Sequence, residues 1–240
     1  MQPTEETNHQ AMGYDRTSIM FSPDGRLLQV EYAKKTVKQG STAVGITFKD
    51  GVLILADKRI AEKLIISRSV EKVFQVDEHI GAIASGILSD GRILIERAQI
   101  IAQQHRISTE EPITTESLVK EICNIKQLYT QVGGARPFGV SIMFGGFGEH
   151  PHLFVTDPTG IFFEYKATAI GEGETQVKEI LNKEYKDNMN FEDASALAID
   201  ALKTALGKNF SIDRIDGAYI LGDTKKFQRY AKDQITKYSK

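Results

Sequence analysis

The clearest candidate nucleophile is Ser41, in Gly40-Ser41-Thr42-Ala43-Val44-Gly45, where a small residue leads into an apolar strand pattern. A serine, threonine or cysteine at a freed chain start can attack through its side chain while its own α-amine takes the proton. Forty residues precede Ser41, and the last of them carry a helical pattern. Unless they are removed, no α-amine exists there. Two readings stay open at this level: an ordinary strand start, or a processed hydrolase with Ser41 as nucleophile. Other chemistries find less support. Ser85-Gly86 does not sit in GxSxG. The histidines are His9, His79, His105, His150 and His152; only His150 and His152 are close, in an expected surface loop without a cysteine nearby, so no metal is expected. Gly171-Glu172-Gly173 lacks the third glycine and the lysine of a phosphate loop, and its acidic flanks would repel phosphate; it reads as a strand-to-helix turn. No cofactor is implied.

The elements that position these residues follow from periodicity. Ser22-Pro23-Asp24-Gly25 has Pro and Gly where a tight turn wants them. Val30, Ala33 and Val37 lie at i, i+3, i+7 of a short helix that Gly40 can stop. The period then changes to two over 43–48, a Lys49-Asp50-Gly51 turn follows, and the continuous apolar run 52–56 reads as a strand buried on both faces. A second strand pair spans 72–76 and 80–85. Two helices come next, one capped by Ser89 and carrying Leu94, Ala98, Ile101 and His105, the other carrying Leu118, Ile122, Ile125 and Tyr129. Strands return at 138–144, 153–156 and 161–165. Helices follow over about 174–185 and 192–206, with Asn190 as a cap for the second. Strands at 218–221 and 227–230 and a polar C-terminal helix close the chain. Strands and helices thus come in blocks rather than in βαβ alternation, which suggests antiparallel sheets face to face with helices outside.

Composition narrows the function. The 240 residues carry 30 Lys plus Arg and 32 Asp plus Glu, a net charge of -2, without the basic stripe of a nucleic-acid binder. No run approaches the ~18 apolar residues of a membrane span, and residues 1–13 lack a secretory h-region. Cys123 is the single cysteine, in an apolar setting that suits a small buried thiol. A cytoplasmic protein with no nucleic-acid or membrane partner is expected.

Several segments are specific beyond composition. Tyr14-Asp15-Arg16, Phe21-Ser22-Pro23-Asp24-Gly25-Arg26-Leu27 and Gln29-Val30-Glu31-Tyr32-Ala33 resemble the opening signature of proteasome α subunits, most closely the archaeal ones. The similarity continues through Gly40-Ser41-Thr42-Ala43, Ala56-Asp57-Lys58-Arg59, Ser69-Val70-Glu71-Lys72, Ser85-Gly86, Arg136-Pro137-Phe138-Gly139-Val140-Ser141 and Glu164-Tyr165-Lys166-Ala167. The resemblance implies an α+β fold, a four-layer αββα sandwich of the N-terminal-nucleophile hydrolase type. It implies a flexible gating tail at 1–13 and a single domain over 14–240. In this family the catalytic β subunits use an N-terminal Thr, an Asp and a Lys; Ser41, Asp57 and Lys72 occupy the related positions here. Because the chain runs on through that site, the resemblance implies a non-catalytic α subunit, with the helix of about 26–39 lying across the ancestral substrate cleft.

The implied partners are six further copies in a homo-heptameric ring, proteasome β subunits, a regulatory AAA ATPase of the proteasome-activating nucleotidase type, and unfolded polypeptide substrates. Tyr14, Asp15, Pro23 and Tyr32 match the cluster that holds the open gate in the family. Lys72, Gly40 and Ile87 match the pocket that receives the C-terminal tail of the activator, the lysine facing the tail carboxylate. From residue type alone, the favoured reading of Lys72 is a solvated lysine paired with Glu71 or a nearby acid; the resemblance reverses that preference.

Overall fold

The computed structural model describes residues 12–60, 64–66 and 69–238. Most of the tail expected at 1–13 therefore lies outside the described residues. Helix α1 (Leu28–Gln39) is followed by β1 (Ala43–Phe48), β2 (Gly51–Asp57), β3 (Val73–Asp77) and β4 (Ile80–Gly86), then α2 (Leu88–Thr109) and α3 (Thr115–Tyr129). Next come β5 (Val140–Phe147), β6 (Pro151–Thr156), β7 (Phe162–Glu164) and β8 (Ala167–Ile170), helices α4 (Glu174–Glu184) and α5 (Phe191–Leu206), β9 (Ile215–Leu221), β10 (Phe227–Arg229) and α6 (Lys232–Tyr238).

The strands form two five-stranded sheets, ordered β10-β9-β2-β1-β8 and β3-β4-β5-β6-β7, with antiparallel pairing throughout. Their inner faces meet in a core that includes Val52, Ile54, Ile83, Met143 and Leu153. A second apolar layer joins the outer face of the first sheet to α4, α5 and α6 through Val44, Leu55, Val177, Ala198, Leu202 and Ile235. A third joins the other sheet to α2 and α3 through Ala82, Phe144, Leu94, Ala98, Leu118 and Ile122. This is the four-layer αββα arrangement. It explains the unbroken apolar run in β2: a central strand with a packed layer on each face is buried at all seven positions.

Most elements match the periodic reading; the exceptions have local causes. β8 went unread because Ala167–Ile170 follows β7 with only two residues between. There the chain leaves one sheet for the other: Tyr165 N donates to Leu153 O, and Lys166 O accepts from Thr47 N. Ser89 does not cap α2. The helix begins at Leu88 with Ile87 as its flanking residue, without a side-chain cap. Asp90 in its first turn instead receives both guanidinium nitrogens of Arg136, at 2.6 and 2.7 Å, and Gly139 N at 2.9 Å. Asn190 does cap α5, accepting from Asp193 N. His152 stands in β6 rather than in a loop, 2.6 Å from Glu164. No described helix is long and apolar enough to cross a membrane.

Candidate functional site

Two sequence-nominated clusters flank α1. At its N-terminal side, the turn 22–25 closes through Gly25 N to Ser22 O at 2.9 Å, with Gly25 at φ 72, a conformation that suits a residue lacking Cβ. Pro23 sits exposed on this turn and fixes its entry angle. Arg26 then forms a two-point ion pair with Glu31, and that guanidinium holds the Glu31 carboxyl below its usual range against the opposing effect of burial. Tyr32 donates to Asp15 Oδ2 at 3.3 Å, and Gln29 Nε2 donates to Asp15 O at 2.5 Å. Tyr14 adjoins Asp15. Thus α1 holds the segment ahead of it through two side chains on one helix face, at positions 29 and 32.

At the C-terminal end of α1 lie Gly40 and Ser41, the second nominated region. Gly40 O accepts from Glu172 N, and β1 begins at Ala43. A Cβ at Gly40 would fall inside 3.0 Å of Gly86 N and Ser85 Oγ, so only glycine lets this backbone press against β4. Ser85 Oγ donates to Ser41 O at 3.0 Å. Ser41 Oγ is buried and has no hydrogen-bond partner among the described residues. No base stands on it.

Asp57 ends β2 fully buried, gripped by Arg214 through Nε at 2.9 Å and Nη2 at 2.7 Å, and by Arg59 N at 3.0 Å. Lys72 precedes β3 and is 3% exposed. Its ammonium has one long hydrogen bond, to Ala84 O at 3.4 Å. Desolvation pushes its pKa down to about 8; the Asp57 carboxylate opposes that and Arg59 adds to it. Glu71, the partner considered from sequence, pairs with Arg229 at 2.5 Å instead. The reading of Lys72 as a solvated lysine paired with Glu71 is therefore corrected. Ile87, half-buried, donates its N–H to Gly139 O at 2.9 Å beside Gly40's contact surface. Gly40, Ile87 and the strand β4 that covers Lys72 thus share one region, while Tyr14, Asp15, Pro23 and Tyr32 lie at the other end of α1.

Sequence reasoning missed Arg214, which neutralises Asp57 from 157 positions away, and Arg59, which pairs with Glu172. It also missed Lys126 on α3. This lysine is fully buried, donating to Val140 O at 2.9 Å and Thr156 Oγ1 at 3.0 Å, and desolvation pushes its pKa down to about 8. Cys123 is buried as expected, and burial pushes its thiol up to about 11. Among the described residues no group of side chains could hold a metal ion.

The comparisons with known proteins agree with this geometry. A family model described as proteasome subunit matches residues 37–220, and a model of the N-terminal signature of A-type proteasome subunits matches 14–35. The chain is 47% identical over 227 residues to a proteasome subunit alpha of Archaeoglobus fulgidus, covering 95% of this chain and 92% of the relative. It is 48% identical over 227 residues to the Methanothermobacter thermautotrophicus protein of the same description, covering 94% and 92%, and 46% identical over 228 residues to that of Methanosarcina acetivorans, covering 95% and 92%.

Proposed function

Since the chain belongs to the proteasome subunit family, as an α subunit of archaeal type, we propose that it is a non-catalytic ring subunit that gates substrate entry and docks a regulatory ATPase. The observation that carries this reading is the packing of the segment ahead of Ser41: Gly40 presses on β4 and accepts from Glu172 N, and α1 buries Leu28, Val30, Ala33 and Val37, so a segment whose removal would free an amine at Ser41 is built into the core. While α1 stays attached Ser41 has no α-amine, and no other base stands on its hydroxyl, so it is not activated as a nucleophile. The processed-hydrolase alternative requires the loss of α1, whose Leu28, Val30, Ala33 and Val37 are all buried.

In this proposal residues 1–13 form a gating tail ahead of a single domain, 14–240. Homo-heptameric rings stack on β rings, and unfolded polypeptides pass the gate to reach the proteolytic chamber in the cytoplasm. Tyr14, Asp15, Pro23 and Tyr32 hold the tail in its open arrangement; the Tyr32–Asp15 bond and the rigid Pro23 turn support that role. Lys72 is the cation for an activator's terminal carboxylate, with Gly40 and Ile87 beside it. Its support is electrostatic: a buried ammonium with a single 3.4 Å acceptor gains from an arriving carboxylate more than a solvated lysine would. The test is a complex reconstituted with β subunits. Ser41→Ala should leave peptidase activity unchanged. Lys72→Ala should keep rings and basal small-peptide hydrolysis but lose stimulation by the activator's C-terminal peptide. Loss of activity in the first variant overturns the non-catalytic reading; full stimulation of the second overturns the pocket assignment.

A further inference from the structure

Resting on the ring assembly proposed above, we infer how neighbouring copies meet: the Leu64–Ile66 segment of one chain seats in the cleft between α1 and β7 of the next. Two exposed apolar features motivate this. Leu64 is 95% exposed and Ile66 62%, and with Ile65 they make three consecutive apolar residues facing water on the connection between β2 and β3. Single exposed apolar residues are ordinary, but a contiguous exposed run marks a contact surface.

The receiving surface is a cleft of about 430 Å³ whose apolar lining includes Val37, Val155, Ile161, Phe163, Tyr165 and Ile170. Ile161 and Phe163 on its rim are 49% and 55% exposed. Its charged rim residues include two internal ion pairs, Lys34 with Asp157 at 3.4 Å and Lys178 with Glu174 at 2.6 Å. That leaves the apolar middle as the natural seat for an uncharged segment such as Leu-Ile-Ile.

A second copy of this chain is the occupant because of where the two features sit. The Leu64–Ile66 connection feeds β3, one edge strand of its sheet, and Phe163 lies in β7, the opposite edge. Four strand spacings of ~4.8 Å separate those edges, roughly 19 Å. Different patches on opposite edges that complement one another make a head-to-tail contact, and such a contact closes into a ring when its rotation divides a full turn. The cleft also has α1 as one wall, through Lys34, Val37 and Lys38. The same helix that covers the ancestral nucleophile would thereby build half of the seat for the neighbour, and removing it would cost both.

The test uses disulfide trapping in the full-length chain. Cys123 is buried with its thiol pushed up to about 11, so the unmodified chain gives no background cross-link. The double variant Leu64→Cys with Phe163→Cys, oxidised in assembled rings, should give a ladder of cross-linked species on a denaturing gel. Each single variant should give none, and a mixture of the two singles should stop at the dimer. Leu64→Glu and Phe163→Glu should each abolish rings in light scattering while keeping the circular dichroism of the parent. Rings that persist in both charge variants, with no ladder from the double cysteine, overturn the inference and leave the assembly reading standing. Dimers from a single cysteine variant overturn it by showing a self-paired contact. A monomeric parent chain overturns both.

Discussion

Replacing Lys72 with methionine should make the folded chain more stable while removing its response to the activator. Methionine keeps the length of the buried stem and deletes the ammonium. In the folded state that ammonium is desolvated and its pKa falls from an ordinary 10.5 to about 8. At ~1.4 kcal/mol per pH unit the gap amounts to roughly 3–4 kcal/mol, an upper bound on what protonated Lys72 costs the fold. By linkage, the unfolded chain binds the proton more tightly, so stability is lowest below pH 8 and rises as pH climbs from about 8 to 10.5. Lys126, also pushed down to about 8 and fully buried, adds a second rise over the same window. In urea titrations at fixed chain concentration, Lys72→Met should therefore unfold at a higher midpoint than the parent at pH 7. Its gain in stability between pH 8 and 9, below the range where the buried Cys123 thiol, raised to about 11, begins to pull stability the other way, should be about half the parent's. With β subunits its basal peptide hydrolysis should match the parent, while stimulation by the activator peptide disappears. A lower urea midpoint at pH 7, or an unchanged pH slope, would overturn this, because Lys72 would then be stabilised rather than strained by its surroundings.

Gly40→Ala should lower stability by about 1–3 kcal/mol and weaken activator stimulation, because the new Cβ meets the Gly86 backbone, which cannot swing aside, as well as Ser85 Oγ; an unchanged thermal midpoint would contradict the close approach. Ser41→Ala removes a buried hydroxyl without a partner and should be neutral to stabilising by up to ~1 kcal/mol in urea unfolding; a loss of several kcal/mol would show a hydrogen bond there. Asp90→Ala strands Gly139 N and frees Arg136, and should cost about 1–3 kcal/mol at pH 7. Burial raises the Asp90 pKa, but the Arg136 and Gly139 bonds outweigh it and leave it lowered. Its contribution should therefore be present above the ordinary carboxylate range and be lost as pH falls through the folded pKa, so the parent and the variant should converge in acid. Deleting residues 2–13 should speed degradation of long unfolded substrates and change tiny-peptide hydrolysis little; equal acceleration of both would mean that the tail does not gate.

What was legible from sequence was what local pattern encodes. The stripe Ala194, Leu197, Ala198, Ala201 and Leu202 gave α5, and the continuous run in β2 gave a strand covered on both faces. β8 was not legible: four residues with no turn chemistry before them carry no signal that the chain has changed sheets. The candidate site divides the same way. Ser41, Asp57 and Lys72 came from motif resemblance, and the break in the helix at Gly40 from its residue type. Arg214 could not be found by either route, because its role depends on β9 pairing with β2, which brings Ile215 opposite Asp57. Lys72 was misjudged by residue type, since lysines are seldom buried. Only the packing of β4 over it shows why this one is.

Native mass spectrometry of the purified full-length chain is the sharpest check on the unprocessed ring subunit proposed here, because one spectrum reports both assembly and processing. Sevenfold assemblies, single or paired, are expected, whose subunits on collisional release each carry the full 26.7 kDa of the unprocessed sequence. A monomer, or a subunit shortened to begin at Ser41, would contradict that reading.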